Sequence, residues 1–307
     1  MSQEPARTPI AADWTHHALW DRVRTALFAV PARFQSNVDI SGVPATDLFN
    51  LNAILGAAIE DRVVDTLNDM RSVWDPDDDY ASYAFARQAQ TFPDVLCCNL
   101  ADRSDVLFGI ELKGWYILAK EGEPSFRFSV TPAVCAPADL LAVFPWHLSE
   151  VISGTPRLLA PYVEHARYVA EFRNHHWAEL MVRKTGVSGL TLSTSTQPYP
   201  VKSDEIVDVA ENDRGGNFGR IARTNLLEGF CRDVLARRLA GIPASSWRKF
   251  LVAFKDAAYD AEINEALHKL TARIHEEQRA NDENVMDLLA KFEAIVRLFR
   301  SGGADGG

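Results

Sequence analysis

The sequence predicts an α/β fold in which a sheet follows an N-terminal helical section. Apolar residues recur every three or four positions in residues 13–34 and 45–70, which is the period of amphipathic helices. Residues 106–120 instead alternate with a period of two, which is typical of a strand. With 307 residues, 47% of them apolar and 24% charged, the chain has the composition of a globular protein with a large core.

The helical section comes first along the chain. The helix over residues 13–34 carries a stripe of four aliphatic side chains, Leu19, Val23, Leu27 and Val30. The longer helix over residues 45–70 carries six, Leu48, Leu51, Leu55, Ile59, Val63 and Leu67. The acidic stretch at residues 75–79 predicts a solvated turn that ends this section.

Residues 80–146 are expected to form the sheet. Two short extended segments precede the alternating strand, at residues 80–90 and 94–99. A turn at residues 121–124 predicts a further strand over residues 125–131, and the apolar run at 138–144 indicates a buried strand. The order of a helix followed by a sheet favours an α/β core.

The rest of the chain is predicted to be mainly helical. Helical segments are expected over residues 156–183, 219–239, 246–258 and, as one long charged helix, 262–299. We divide the chain into three regions: an N-terminal arm and helix (1–45), a core (46–185) and a mainly helical region (186–307).

Composition also excludes several classes of protein. No run approaches the ~20 apolar residues of a membrane span, and the N-terminus lacks the pattern of a secretory signal. The four cysteines have no CxxC spacing and are interpreted as reduced core thiols, so we expect a cytoplasmic protein without a membrane partner. The balance of 32 Lys and Arg against 42 Asp and Glu argues against bulk polyanion binding but leaves room for a local nucleic-acid groove.

One group of charged residues predicts metal-dependent chemistry. Glu111 and Lys113 lie two apart on the alternating strand and therefore share a face, while Leu112 points the opposite way. Asp94 opens the preceding apolar segment, and antiparallel pairing of the two segments would bring its carboxylate to Glu111. Two carboxylates are suitable ligands for Mg²⁺. A neighbouring lysine can assist a water and screen phosphate charge.

A plainer interpretation competes with this one. A Glu-x-Lys pair on a strand is common as a cross-strand pair on a solvent face, and Pro-Asp commonly opens a turn. The strand is otherwise apolar on both faces, so buried charges there would need partners, which favours a site.

The residues Pro93-Asp94 followed by Glu111-Leu112-Lys113 resemble the motif of the PD-(D/E)xK nuclease superfamily, which includes many type II restriction endonucleases. The resemblance covers residues 50–145 and implies an αβββαβ core with a mixed central sheet. It implies that Asp94 and Glu111 bind Mg²⁺, with the carbonyl of Leu112 as a further ligand, and that Lys113 is the catalytic partner. Glu60 matches the helical glutamate that many members place at the metal site, although it could equally be an exposed residue paired with Arg62.

A basic segment is the candidate nucleic-acid contact. Between residues 214 and 249 there are eight basic residues and two acidic ones, in a chain of net charge −10. The turn around Gly215 and Gly216 would let backbone amides approach a phosphate. The candidate DNA-binding residues are Arg214, Asn217, Arg220, Arg223 and, before the motif, Gln90. Alternatively, the arginines pair with the five acids of residues 204–213, and Gln90 has a role at a strand edge.

The sequence therefore predicts a Mg²⁺-dependent deoxyribonuclease that cuts double-stranded DNA, and the resemblance implies a type II restriction-like enzyme. The apolar stripe of residues 262–299 and the two strands of a duplex favour a homodimer. A cognate methyltransferase or another defence component is a candidate partner. The alternatives are a non-catalytic DNA-binding or regulatory subunit on the same fold, a DNA repair nuclease, and an interaction protein built on the C-terminal helix.

Overall fold

A six-stranded mixed sheet forms the centre of the protein. The computed structural model describes residues 3–43, 47–88, 91–213 and 216–256, together with residues 265 and 269. The helices are α1 (His17–Arg33), α2 (Leu51–Asp69), α3 (Arg71–Trp74), α4 (Ala166–Thr185), α5 (Glu228–Ala236) and α6 (Ala244–Asp256). The strands of the main sheet are β1 (Tyr83–Arg87), β2 (Val95–Asn99), β3 (Val106–Tyr116), β4 (Leu140–Leu148), β5 (Pro156–Leu158) and β6 (Tyr162–His165). Two small ladders are formed by β7 (Leu190–Thr191) with β8 (Val209–Ala210) and by β9 (Arg238–Leu239) with β10 (Ile242–Pro243).

The sheet is antiparallel on both sides of one parallel pair. β1, β2 and β3 are antiparallel neighbours, β3 and β4 run parallel, and β5 and β6 both pair antiparallel with β4. The predicted α/β class with a mixed central sheet is therefore confirmed. β4 is buried along almost its whole length, which explains its continuous apolar sequence.

The connection between β3 and β4 differs from the order that the resemblance implies. An αβββαβ core would place an α-helix there, whereas residues 117–139 contain only the 3-10 helix Pro132–Val134. Parallel neighbours require a crossover because the chain must return to the opposite end of the sheet. Here a largely irregular segment makes that crossover.

Two asparagines attach α2 to the sheet. Asn68 accepts a hydrogen bond from the Phe85 N–H and donates one to the Phe85 carbonyl, both at 2.9 Å. Near the other end of α2, the Asn52 side-chain oxygen accepts from the Tyr116 N–H at 2.9 Å and from the Trp146 indole at 3.2 Å. The helix is thereby held across β1 and β3.

Two of the predicted elements are wrong. Residues 125–131 are not a strand of the sheet: the Phe128 N–H donates to Gly219, and the Thr131 N–H donates to Ile206. The backbone of this segment is thus satisfied by later loops. The helix predicted over residues 156–183 begins only at Ala166, because residues 156–165 pair with β4 as β5 and β6.

The N-terminal helices are confirmed with shorter bounds, and α5 and α6 occupy parts of the two later helical predictions. Apart from residues 265 and 269, the long helix predicted over residues 262–299 lies outside the described residues. All four cysteines are buried and free, as predicted. None of the helices in the described ranges combines the length and the apolar character that crossing a bilayer requires.

A close contact between a loop and β3 fixes the start of β2. An added Cβ on Gly109 would lie 2.2 Å from Cγ of Pro93 and 3.2 Å from Oδ1 of Asp139. The fully buried Asp139 carboxylate accepts hydrogen bonds from the N–H groups of Gly109 at 2.6 Å and Ala136 at 2.7 Å, and from the Tyr199 hydroxyl at 3.3 Å. Only glycine allows Pro93 to pack directly on the backbone of β3, and this packing places Asp94.

We expect Gly109→Ala to lower the free energy of unfolding by about 1–3 kcal/mol, because the new methyl group overlaps the Pro93 ring in a packed core. The matched control is Gly56→Ala on α2, where nothing lies within 4 Å of an added Cβ. That change should raise stability by about 0.5–1 kcal/mol through helix propensity. Denaturant titration of both variants checks this, and equal stability of the two would contradict the packing argument.

Candidate active site

The candidate site lies where β3 extends beyond the first residue of its antiparallel neighbour β2. Val95, the first residue of β2, pairs with Ile110, so the backbone of Leu112 has no partner on β2 itself. The Asp94 carboxylate takes that place and accepts the Leu112 N–H at 2.9 Å. Because the N–H and C=O of one strand residue point to the same side, the Leu112 carbonyl also faces the side on which Asp94 lies.

The side chains of Asp94, Glu111 and Lys113 meet at one point. The Lys113 ammonium lies 2.6 Å from Oε1 of Glu111 and 3.3 Å from Oδ2 of Asp94. The Asp94 N–H also donates to Oε2 of Glu111 at 3.3 Å. The antiparallel pairing that the sequence predicted therefore brings the two carboxylates to a shared cation, and the Leu112 side chain points into the core.

Burial and mutual attraction determine the protonation of this group. The side chains of Glu111 and Lys113 are 9% and 17% exposed. Burial raises the pKa of Glu111 above its ordinary value, opposed by the charge of Lys113. Burial alone would lower the pKa of Lys113, but the charges of Glu111 and Asp94 outweigh it and hold that pKa above its ordinary range. The ammonium is therefore charged at neutral pH and offsets the two acids.

Glu60 projects from the middle of α2 toward the same group. Burial raises the pKa of Glu60 from 4.5 to about 7, and the charge of Asp94 adds to this effect. A hydrogen bond from the Gly114 backbone acts in the opposite direction. The Arg87 guanidinium lies 3.9 Å from the Glu60 carboxylate. Arg62, the alternative partner that the sequence suggested, pairs with Asp65 at 2.9 Å instead. Glu60 thus faces the site and is not a freely exposed helix residue.

The oxygen atoms at this point suit a hard cation. Asp94 and Glu111 supply carboxylate oxygens, and Leu112 adds a carbonyl on the same side, which are the ligand types that Mg²⁺ prefers. That both carboxylates already contact one ammonium shows that their oxygens reach a common cationic centre. Within the described ranges, no three His, Cys, Asp or Glu side chains form a cluster that could hold a metal by themselves.

Gln88 and Gln90 both precede the motif, and of the two only Gln88 lies within the described residues. The Gln88 N–H donates to the Asp94 carbonyl at 2.7 Å, and its side-chain amide donates to the Pro93 carbonyl at 3.0 Å. Gln88 therefore holds the backbone that carries Asp94. Gln90, the candidate DNA contact, lies outside the described residues.

The arginines of the basic segment make contacts elsewhere than at Asp94, Glu111 and Lys113. Arg220 and Arg223 share the Glu121 carboxylate, at 3.0 and 3.6 Å, and Arg223 also donates to the Asn217 side chain. In the described ion pairs these two arginines contact Glu121 and not the acids of residues 204–213, which was the alternative interpretation. Arg214 lies outside the described residues.

Sequence reasoning missed the residues that position the site. Gly109, Asp139 and the two α2 asparagines were not singled out, although an isolated glycine inside a strand pattern indicates close backbone approach. Burial raises the pKa of Asp139 to about 6, against the hydrogen bonds from Gly109 and Ala136. In the sequence Asp139 is a lone aspartate before an apolar run, which gave no signal of these donors.

Comparison with protein-family models, with curated proteins and with solved structures finds no match to this chain. The chemistry of the site is therefore argued from its own geometry.

The raised pKa of Glu60 predicts a pH-dependent stability. The folded protein holds this proton more tightly than the unfolded chain, so the free energy of unfolding should fall as the pH rises from about 4.5 to about 7. Glu60→Gln removes this titration, so wild type should lose on the order of 2 kcal/mol relative to the variant over that range. Denaturant titration with a metal chelator at several pH values measures the difference.

The control is Glu265→Gln, because a hydrogen bond from Lys269 lowers the pKa of the exposed Glu265. The stability difference between wild type and that variant should not fall as the pH rises. Parallel pH profiles for wild type and Glu60→Gln would show that Glu60 does not carry a raised pKa.

Proposed function

We propose that this protein is a Mg²⁺-dependent DNA endonuclease that hydrolyses phosphodiester bonds. The observation that carries the proposal is the meeting of the Asp94 and Glu111 carboxylates at the ammonium of the buried Lys113, on neighbouring antiparallel segments. Asp94, Glu111 and the Leu112 carbonyl would hold the metal. Lys113 would be the catalytic partner, and Glu60 would support the site from α2.

The proposed reaction needs a positioned water and a stabilised phosphate. Bound Mg²⁺ would neutralise phosphate charge and lower the pKa of a water. The water oxygen loses a proton as it forms a bond to phosphorus, the bond from phosphorus to the leaving deoxyribose oxygen breaks, and that oxygen gains a proton. Lys113 is charged and close to both acids, so it can donate a hydrogen bond to the water or to a phosphate oxygen. Asp139 and Gly109 keep Asp94 in register.

A restriction-like core is the finer part of the proposal. The order α2, β1, β2, β3 and β4, with the acids on β3 and just before β2, supports it. The irregular crossover between β3 and β4 is the feature that departs from it. Duplex DNA as substrate, a homodimer and a partner methyltransferase or defence component belong to the same proposal. A repair nuclease is the rival within the enzyme class, and cutting at one short duplex sequence would distinguish a restriction enzyme.

A second candidate is a non-catalytic DNA-binding or regulatory subunit. The Lys113 ammonium already contacts both Asp94 and Glu111 and offsets part of their negative charge, so the three groups also form a buried ion-pair cluster without any metal. In that case duplex DNA would bind but remain intact with every divalent cation.

Incubation with plasmid DNA and Mg²⁺ tests the proposal. We expect wild type to cut the plasmid, and Asp94→Asn and Lys113→Met each to reduce the rate about a thousandfold, because each removes several kcal/mol of charge stabilisation. Asparagine keeps an acceptor for the Leu112 N–H, so the fold should survive. The control Asp102→Asn removes an exposed loop carboxylate and should cut at the wild-type rate.

Circular dichroism and DNA-binding measurements on the same variants separate loss of chemistry from loss of fold. Cleavage by folded Asp94→Asn at the wild-type rate would remove the assignment of the site. Tight duplex binding by wild type without cleavage under Mg²⁺, Mn²⁺ or Ca²⁺ would instead favour the regulatory subunit. Sequencing of the ends would identify a recognition site.

A further inference from the structure

A cavity lies between α4, mainly its C-terminal half, and residues 212–213 and 217–224. Its volume is about 780 Å³, within the range of small-molecule sites. Trp177 and Phe218 both line it and pack directly on each other, with ring centroids 5.5 Å apart in an edge-to-face arrangement. Together with Met181 they form an apolar cluster distinct from the main core.

Trp177, which lines the aromatic part of the cavity, carries a buried hydrogen-bond donor. Trp177 is only 8% exposed, and its indole N–H has no hydrogen-bond partner among the described residues. A buried donor without an acceptor costs about 1–3 kcal/mol, and buried indole N–H groups normally find a partner. A ligand acceptor atom that reached this N–H would remove that cost.

The charged part of the cavity is cationic. Four cationic side chains line it, Arg173, Lys184, Arg220 and Arg223, against one lining carboxylate in the described chain, Asp213. Arg173 is committed to the buried Asp208 at 2.7 Å, but Arg220 and Arg223 share the single, half-exposed carboxylate of Glu121. Two guanidinium groups with one carboxylate between them retain capacity for a further anion, and arginine suits phosphate.

The glycine before Arg220 allows this arrangement. Gly219 has a φ of +84°, and an added Cβ would lie 2.4 Å from Oγ of Ser129. Its carbonyl accepts the Phe128 N–H at 2.8 Å. The segment therefore turns sharply against residues 128–129, so that Phe218 faces Trp177 and Arg220 lies at the same cavity.

We propose that this cavity binds one nucleotide, with its base against Trp177 and Phe218 and its phosphate at Arg220 and Arg223. A base provides a planar face and ring acceptors for the indole N–H, and the phosphate would take the place of Glu121, which is 48% exposed and can move into solvent. Neither an aliphatic anion nor a neutral aromatic compound would use both parts. The proposal is independent of whether Asp94 and Lys113 hydrolyse DNA.

Isothermal titration calorimetry with the four nucleoside 5′-monophosphates tests the proposal on the full-length protein. We expect at least one to bind with 1:1 stoichiometry, and to bind at least tenfold more tightly than inorganic phosphate and than its own nucleoside. Arg223→Gln should weaken binding about tenfold through loss of a charge-assisted contact. Trp177→Phe, which keeps a ring but removes the N–H, should weaken it about threefold or more.

Two variants on residues that do not line the cavity serve as matched controls. Arg183→Gln removes a neighbouring arginine of α4 that pairs with Glu179, and Trp14→Phe removes an N-terminal indole. Both should bind the nucleotide as wild type does, and so should Asp94→Asn, which separates this site from the proposed nuclease centre.

The source of the nucleotide is decided by a second titration with a 5′-phosphorylated single-stranded dinucleotide. Binding more than tenfold tighter than the monophosphate would assign a strand end, and equal or weaker binding would assign a free nucleotide. The proposal is overturned if no monophosphate binds at concentrations of about 1 mM. It is also overturned if inorganic phosphate binds equally well, or if Arg223→Gln binds the nucleotide as tightly as wild type does.

Discussion

The buried contact between the Lys113 ammonium and the carboxylates of Asp94 and Glu111 is the interaction on which the site depends. Two acids placed together in a poorly solvated position repel each other, and each loses hydration. The ammonium between them supplies the compensating charge, at 2.6 Å from one acid and 3.3 Å from the other. Removal of Lys113 would therefore leave two neighbouring acids without a compensating charge.

The sheet makes that contact possible by ending one strand early. Because β2 begins at Val95 while β3 continues to Tyr116, the Leu112 N–H on this side of β3 is left for a side chain, and Asp94 accepts it. Glu60 approaches the same edge from α2, which Asn52 and Asn68 hold in place. The site therefore combines a short strand, a long strand and a clamped helix.

The cavity beside α4 combines apolar and cationic side chains. There the buried pair of Arg173 and Asp208 anchors the helix: Arg173 also donates to the carbonyls of Phe128 and Val130. Burial lowers the pKa of Arg173 to about 10, against the attraction of Asp208. This anchoring joins the irregular residues 125–131 to the later part of the chain, and it explains why that segment does not join the sheet.

The sequence alone determined the α/β class, a strand beginning at residue 106, and the sharing of one face by Glu111 and Lys113, because these follow from local periodicity. The strand was predicted to continue to residue 120 and ends at Tyr116. It also identified Asp94 as their partner, provided that the segments paired. Tertiary structure decided the rest. Whether residues 125–131 join the sheet, which carboxylate pairs with Arg220, and why Gly109 must lack a side chain depend on contacts between residues far apart in the chain, and local pattern contains no information about them.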